Sequence, residues 1–331
     1  VLDAIYTAGS PGDKDSLLGA LDALSPEGYA GTVDYALHAT RSYAQNVMAA
    51  TPQMAGRDWE LVAGWSHFGL QADSSHHSHD YDLNSNGGYL GLRVNCHPDL
   101  VFGGFIAADN GSIDSGRLDL DADGFILGGF VEWTPQGEEG PWNVWGNLAY
   151  GSYEFDGHRR GLINRLSVPA FDADAFQLGV GVDYEVYEQN GLRVVPGIGL
   201  RYITASTDGF TESGGADALH VGGLDEDQFL LDLALRLYYH EAGQPYAFHG
   251  EFGWQHDFSD ASRDVSAILA NGGGVPFSVE APGLGEDAFT FGLGAIYDLG
   301  ERYRIGLSYR GEVRSDSDMF NGLDLRVTTG F

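Results

Sequence analysis

A period-two alternation of hydrophobic and polar positions runs through the stretch 320–331, which ends on the aromatic residue Phe331. Apolar side chains occupy one parity and polar side chains the other, namely Leu323, Leu325, Val327 and Phe331 against Asp324, Arg326 and Thr328. This alternation predicts a strand with one apolar face. The edges of such a strand have to be paired, because free N–H and C=O groups template aggregation in water and are too costly in lipid. The pattern therefore predicts a strand that closes a barrel.

Eleven further segments with similar alternation precede this strand, and no convincing helix separates them. The twelve predicted strands cover residues 59–65, 89–93, 100–108, 118–133, 142–153, 176–184, 192–202, 229–240, 246–258, 289–299, 303–314 and 320–331. Aromatic residues bound the apolar faces, as Tyr303 and Tyr309 do on the eleventh segment. Aromatic side chains at strand ends are typical of membrane interfaces.

The connections between the predicted strands differ in length. The short connections are 95–99, 135–141, 188–191, 240–245 and 300–302, and the long ones include 154–174, 203–228 and 259–287. Outer-membrane barrels have an even number of strands, short periplasmic turns and longer extracellular loops. A soluble sandwich has no reason to sort its loops by length. We therefore predict an all-β fold, a twelve-stranded antiparallel transmembrane β-barrel in a bacterial outer membrane, with extracellular long loops and periplasmic short turns.

Residues 1–57 have helical periodicity instead. A Ser25-Pro26-Glu27 start is followed by apolar residues at helical spacing up to Pro52, which ends the run. A helix over 26–50 has a length of about 37 Å, enough to cross a bilayer. Its residues Tyr29, Asp34, His38, Arg41, Gln45 and Asn46 are assigned to a pore helix, since the polar face suits a wet lumen. The alternative is a helical cap on a soluble domain. We predict residues 1–57 as linker and pore-spanning helix, and residues 58–331 as barrel.

Charged residues lie on the strand faces opposite the apolar ones. The predicted lumen-facing residues are Arg193, Arg201, Arg236, Glu251, Arg304, Arg310 and Glu312. In a barrel these groups can pair and remain hydrated, whereas on a soluble protein they form an ordinary solvated face. Glycines of the same parity, such as Gly179 and Gly292, leave room for an occupant, and the helix fits that room.

The amino-acid composition limits the classes of partner and site that this chain can have. There are 48 acidic and 17 basic residues, a net charge of −31, so nucleic acid is an unfavourable partner. Cys96 is the single cysteine, which excludes an intramolecular disulfide and a zinc–cysteine cluster. No apolar run reaches the length of a membrane helix. Since the chain begins at Val1 without a signal peptide, we expect a mature product or a fragment.

Candidate chemistry is sparse. His76, His77, His79 and Asp80 form the densest set of potential metal ligands, but they fall in a predicted loop tip, and we expect no metal site and no cofactor. A barrel hydrolase has only His249, His256 and Asp257 as loose candidates, without a nucleophile elbow. We expect no enzyme activity.

The order of these parts resembles the autotransporter β-domain, the translocator of type V secretion, over essentially the whole chain. The resemblance rests on the 20–29 stretch Ala-Leu-Asp-Ala-Leu-Ser-Pro-Glu-Gly-Tyr, on 88–94, on 150–160, on 193–202 and on the closing strand. It implies export of an N-terminal passenger, a helix left as a plug, and recognition of the terminal strand by the barrel-assembly machinery. The chain departs from the family pattern at Thr329, where an aromatic residue is common. It also lacks the Asn pair at which some members cleave themselves, since Asn46 has no adjacent Asn.

Three functions remain open at this point. The favoured one is an outer-membrane translocator that anchors and exports a passenger carried in cis. The alternatives are an outer-membrane channel or porin without a passenger, and a barrel hydrolase. The favoured interpretation implies contacts with outer-membrane lipid, lipopolysaccharide and the barrel-assembly machinery. It places the assembly signal at Leu323, Leu325, Val327 and Phe331, and the expected state is a monomer.

Overall fold

The computed structural model describes residues 19, 21–48, 57–72, 80–135, 140–162, 164–259, 263–271, 274–281 and 283–331. In these ranges a 3-10 turn, Glu27–Tyr29, leads into helix α1, Ala30–Met48. The strands that follow are β1 (Trp59–Ala72), β2 (Tyr81–His97), β3 (Leu100–Asp114), β4 (Leu118–Trp133), β5 (Trp142–Arg160), β6 (Arg165–Tyr184), β7 (Tyr187–Gln189), β8 (Leu192–Thr207), β9 (Phe210–Thr211), β10 (Leu219–Val221), β11 (Leu224–His240), β12 (Tyr246–Asp257), β13 (Arg263–Leu269), β14 (Phe277–Ala281), β15 (Asp287–Leu299), β16 (Tyr303–Arg314) and β17 (Met319–Gly330). None of the helices in these ranges is long and apolar enough to cross a membrane.

Twelve of the strands form one closed antiparallel barrel. The order around the barrel is β11-β12-β15-β16-β17-β1-β2-β3-β4-β5-β6-β8, and the pairing of β8 with β11 completes the circle. The last strand pairs with the first along its whole length, from Glu60 opposite Gly330 to Gln71 opposite Met319. The predicted twelve-stranded barrel, closed by the terminal strand, is confirmed.

The outer surface of the barrel carries an apolar band bounded by aromatic residues. On β5 the outward side chains run from Trp142 through Val144 and Leu148 to Tyr150, and all four are more than a third exposed. Eight residue steps along a strand tilted by about 40° span about 20 Å of height. A band of this kind suits the hydrocarbon layer of a membrane.

Strand β5 continues past the apolar band beyond Tyr150. The prediction of a long loop at 154–174 is therefore wrong. β5 extends to Arg160 and β6 begins at Arg165. The outward side chains in this extension are polar, so the outer hydrophobic signal stops at Tyr150. The inward side chains Tyr153 and Phe155 are still fully buried, which keeps the strand on the barrel wall. Hydrophobicity of the outer face therefore marks the membrane band and not the strand length.

A second, four-stranded sheet covers one end of the barrel. Its order is β14-β13-β10-β9, and its strands come from the connections β8–β11 and β12–β15. The predicted long loops 203–228 and 259–287 are therefore wrong, since both contain strands. We call this sheet the roof and its side of the barrel the roof end; the opposite side, where β1 begins and β17 ends, is the short-turn end.

Connection length separates the two ends of the barrel only in part. The short connections predicted from the sequence do lie at the short-turn end, but 115–117, 161–164 and 315–318 at the roof end are equally short. The roof end differs in carrying the extended strands and the roof.

Helix α1 lies inside the barrel, with Tyr35, Ala36 and Ala39 completely buried. Its 19 residues correspond to about 28 Å, less than the predicted length. The segment before Ala30 is a 3-10 turn and not the first turn of the helix, so Tyr29 lies outside the helix to which it was assigned. A 3-10 turn is common at the start of an α-helix. Glycine is required at position 28 for close packing, because a Cβ there would lie 2.4 Å from the Ser115 hydroxyl.

Candidate functional site

The candidate site is the contact surface between α1 and the barrel lumen. Asp34, His38 and Arg41 of the helix are all at most 2% exposed. A buried charge without a partner is strongly destabilising, so Asp34 and Arg41 each require a counterpart outside the helix. The 3-10 turn and the helix contact the barrel wall and the roof at four levels between the roof end and the middle of the barrel.

At the first level Glu212, just beyond β9, holds the turn that precedes the helix. Its carboxylate accepts a hydrogen bond of 2.6 Å from the Tyr29 hydroxyl and bonds of 2.6 and 2.7 Å from the Arg159 guanidinium. Arg159 also donates to the carbonyl oxygen of Ala23. Burial, together with the adjacent Glu212 charge, raises the pKa of Tyr29 well above its usual range. The tyrosine therefore stays protonated and remains a donor.

At the second level Asp34 of α1 joins the roof. Arg263 at the start of β13 approaches the Asp34 carboxylate to 2.6 Å, and its Nε lies 3.2 Å from Glu226. The Tyr81 hydroxyl of β2 donates to the same oxygen of Asp34. One helix carboxylate is thus held both by the barrel wall and by the roof.

At the third level a single barrel carboxylate holds two helix tyrosines. Asp109 of β3 accepts hydrogen bonds from Tyr35 at 2.5 Å and from Tyr43 at 2.8 Å. Ser85 of β2 donates a third bond, at 2.5 Å. Tyr35 and Tyr43 are eight residues apart, about two helical turns, so both hydroxyls reach the same side of the lumen.

At the fourth level Arg41 is bound by a carboxylate of the opposite wall. Its Nη2 lies 2.8 and 2.9 Å from the two oxygens of Glu312, and its Nη1 donates to Gln255 at 3.1 Å. His38, one turn earlier, lies 3.1 Å from the same guanidinium nitrogen. These groups are almost completely shielded from water, so the pair depends on protein partners alone.

Below these contacts the helix ends next to a polar cavity of about 210 Å³. Gln45 accepts a hydrogen bond from Arg310, Asn46 donates to Ser66 at 2.9 Å, and Arg326 donates to the Asn46 carbonyl oxygen. Charged residues of both signs line the cavity between the helix end and the short-turn end, which makes this part of the lumen hydrophilic.

The predicted lumen residues lie on the inner wall at different depths. Arg201 pairs with Asp232 at 3.1 Å, Arg236 with Glu251 at 2.7 Å, and Arg304 with Asp298 at 2.6 Å. Arg310 and Glu312 contact the helix, as described above. Arg193 lies at the rim of the short-turn end, where its half-exposed side chain pairs with Glu185 at 2.6 Å.

The residues assigned to the assembly signal are on the outer surface. Leu323, Leu325, Val327 and Phe331 are all more than a third exposed, so their common parity faces the surroundings of the barrel. The backbone N–H of Phe331 donates to the Trp59 carbonyl oxygen at 2.9 Å, which ties the chain end to the first strand.

The residues considered for enzyme chemistry do not converge. His249 faces the lumen, where Ser308 lies 3.3 Å from its Nε2, whereas His256 is on the outer face next to Asp287 at 3.0 Å. Asp257 accepts backbone N–H groups instead. Of the histidine-rich stretch considered as a metal site, His76, His77 and His79 lie outside the described residues.

Several residues that bind the helix or the turn before it were not among the predicted site residues. The predicted strand 100–108 stops one residue before Asp109, although Asp109 follows Phe105 and Ala107 on the inner parity of β3, and this alternation would have identified it. Arg159 entered the prediction only within the 150–160 stretch that carries the family resemblance. Glu212 and Arg263 lie in segments interpreted as loops, and the sequence contains no signal for their position.

Comparison with known proteins agrees with this architecture. The family model of the autotransporter beta-domain matches residues 61–310. The translocator domain of the autotransporter NalP from Neisseria meningitidis superposes with a TM-score of 0.71 at 15% identity, covering 92% of this chain and 96% of that chain. The transport unit of AIDA-I from Escherichia coli gives 0.59 at 10% identity, with 90% and 98% covered.

The beta domain of the Bordetella autotransporter BrkA gives a TM-score of 0.57 at 15% identity, covering 83% of this chain and 100% of that chain. No curated protein sequence matches. At these identities the structural likeness concerns the fold, while the family model covers most of the sequence. The closed barrel, the helix in its lumen and this match agree: the chain belongs to the autotransporter β-domain family.

Proposed function

We propose that this domain is an outer-membrane translocator that anchors an N-terminal passenger and exports it to the cell surface. The observation that carries the proposal is the direction of the helix. Its N-terminal end lies at the roof end, where Asp22 pairs with Arg117 of the β3–β4 connection at 3.2 Å. β1 begins and β17 ends at the opposite end. A segment upstream of Asp22 therefore continues from the end remote from the barrel termini, as export through the lumen requires.

In this proposal the short-turn end is periplasmic and the roof end is extracellular. Residues 1–57 act as linker and pore helix, and residues 58–331 act as the membrane-embedded translocator. The apolar band on the outer surface contacts outer-membrane lipid and lipopolysaccharide. The proposal takes the domain to be a monomer, and its barrel needs no second chain to close.

Tyr29 of the 3-10 turn and the helix residues Asp34, His38, Arg41, Gln45 and Asn46 would hold the plug in place. The lumen residues Arg201, Arg236, Glu251, Arg304, Arg310 and Glu312, with Arg193 at the rim, would keep the path hydrated. Of these, Arg310 and Glu312 would also bind the plug. The outer face of the last strand, with Leu323, Leu325, Val327 and Phe331, would be recognised by the barrel-assembly machinery.

A surface-display experiment tests the export proposal. An epitope placed upstream of residue 19 is expected to be removed by protease added to intact cells. The matched control carries the same epitope in the 241–245 connection, where the orientation proposed here keeps it protected. Protection of the upstream epitope in cells whose barrel is folded would reject the proposal. A channel without a passenger would then be the better interpretation.

A further inference from the structure

The roof is bonded to the helix segment as well as to the barrel. Glu212 binds Tyr29 ahead of the helix, and Arg263 binds Asp34 within it. The ring of Phe210 on β9 packs edge to face on Tyr29 at 4.9 Å between centroids. We propose that the roof is a latch, which closes over the helix only after the helix has entered the lumen and then retains it there.

The charges at this contact make roof closure and helix position interdependent. Asp34 is completely buried, and the Arg263 side chain is 6% exposed. If the roof opened while the helix stayed in place, Asp34 would lose its cationic partner and keep only Tyr81. If the helix left while the roof stayed closed, Arg263 would lose one of its two carboxylates. Either displacement breaks the ion pair between Asp34 and Arg263, and opening of the roof also leaves the buried Asp34 without a cation, so the closed roof and the inserted helix are most stable together.

Packing of the roof favours the same coupled closure. Its inward residues Leu219, Val221 and Val265 are at most 1% exposed, and β13 and β14 contact the 3-10 turn ahead of α1. Without that turn, part of this apolar face would be open to water at the mouth of the barrel, at a cost of about 25 cal/mol for each Å² exposed. The helix segment thus completes the roof, just as the roof covers the helix.

The latch rests on the proposed function in one respect. A passenger in transit needs an open lumen, whereas in this structure the helix and the roof close it. α1 occupies the lumen over about 28 Å, and the roof covers the end from which its upstream chain continues. Export therefore belongs to a state with the roof displaced, and latching is the step that ends it. The retention itself can be measured without a passenger.

Thiol accessibility in the purified, folded domain tests the latch. In a Cys96→Ser background, Thr32→Cys places a thiol at the roof end of the helix, and Ser42→Cys places one near the cavity. Both positions are at most 5% exposed. Arg263→Met is expected to accelerate maleimide modification at position 32 on the order of a hundredfold, because it breaks a buried ion pair. Modification at position 42 is expected to change much less.

The matched control is Arg304→Met, which removes a 2.6 Å ion pair to Asp298 on the barrel wall, far from the roof. Arg263→Lys keeps the charge but loses the planar guanidinium, so it should lie between the wild type and Arg263→Met. Resistance of the barrel to SDS at room temperature verifies folding of every variant. An unchanged rate at position 32, a rate equal to that of Arg304→Met, or an equal rise at positions 32 and 42 would overturn the latch. Failure of surface display with an intact latch would count against export alone.

Discussion

The hydroxyls of Tyr35 and Tyr43 offer the sharpest test of how the helix is held. Both donate to the buried carboxylate of Asp109, at 2.5 and 2.8 Å, and Ser85 supplies the third bond. Substitution by Phe removes a hydroxyl and keeps the ring in place. The Tyr35 ring also packs on Phe68, Tyr153 and Phe155, so its apolar contacts survive in the variant.

The expected loss follows from the charge on the acceptor. A hydrogen bond to a charged group contributes about 1.5–3 kcal/mol, and Asp109 is only 1% exposed, so water replaces the lost donor poorly. We expect Tyr35→Phe to weaken the seating of the helix by about 2 kcal/mol, which is about thirtyfold in the equilibrium for helix opening. Combining it with Tyr43→Phe leaves Asp109 with Ser85 alone. The double variant should therefore lose more than the sum of the single variants.

Hydrogen exchange of the α1 amides in the lipid-embedded domain measures this equilibrium. The matched control is Tyr89→Phe, which removes a 2.8 Å hydrogen bond to the buried carboxylate of Asp324 on the barrel wall. The hydrogen bond lost in this control joins two residues of the barrel wall, and Phe keeps the ring that packs on Tyr43 of the helix at 6.3 Å between centroids. Exchange in α1 should accelerate in the Tyr35 and Tyr43 variants and stay near wild type in the control. Equal exchange in all of these variants would show that Asp109 does not hold the helix.

Three further outcomes are expected. Deletion of residues 1–51 should raise the single-channel conductance, because it removes α1 from the lumen, and no rise would contradict the plug. Removal of Phe331 should reduce assembly into the outer membrane, measured as the heat-modifiable barrel fraction in cells, and unchanged assembly would contradict its assigned role. Gly111→Ala should weaken the contact between α1 and the barrel, because the new Cβ would lie 2.2 Å from both the Asn84 carbonyl oxygen and the Tyr35 hydroxyl. In the control Gly104→Ala the nearest atom lies at 3.5 Å, so thermal unfolding should stay close to that of the wild type.

The alternation of side chains made the barrel predictable. Each membrane-crossing strand has to present apolar groups to lipid at every second position, and this local constraint is visible in any stretch such as β5 from Trp142 to Tyr150. Alternation did not predict the part of the strands that extends beyond the apolar band toward the roof. There the outward positions become polar, as at Ser152 and Glu154, and strand and loop no longer differ in hydrophobic pattern.

The sequence assigned side chains to a helix face and to a lumen face, Glu312 among the latter, but it did not predict which of them pair. Helical periodicity placed Asp34, His38 and Arg41 on a polar face, since neighbours within one element are a matter of local geometry. Their partners were not accessible in this way. Glu312 lies 271 residues from Arg41 in sequence, and Arg263 lies 229 residues from Asp34.

The sequence by itself determined the class of structure: the number of barrel strands, the apolar outer face, the closing role of the last strand and a polar-sided helix suited to a lumen. Each of these follows from periodicity within one segment. Only the tertiary structure decided which charges meet, that two predicted loops form a roof, and that the roof binds the helix. These depend on strand register and barrel closure, which bring together residues that no local pattern connects.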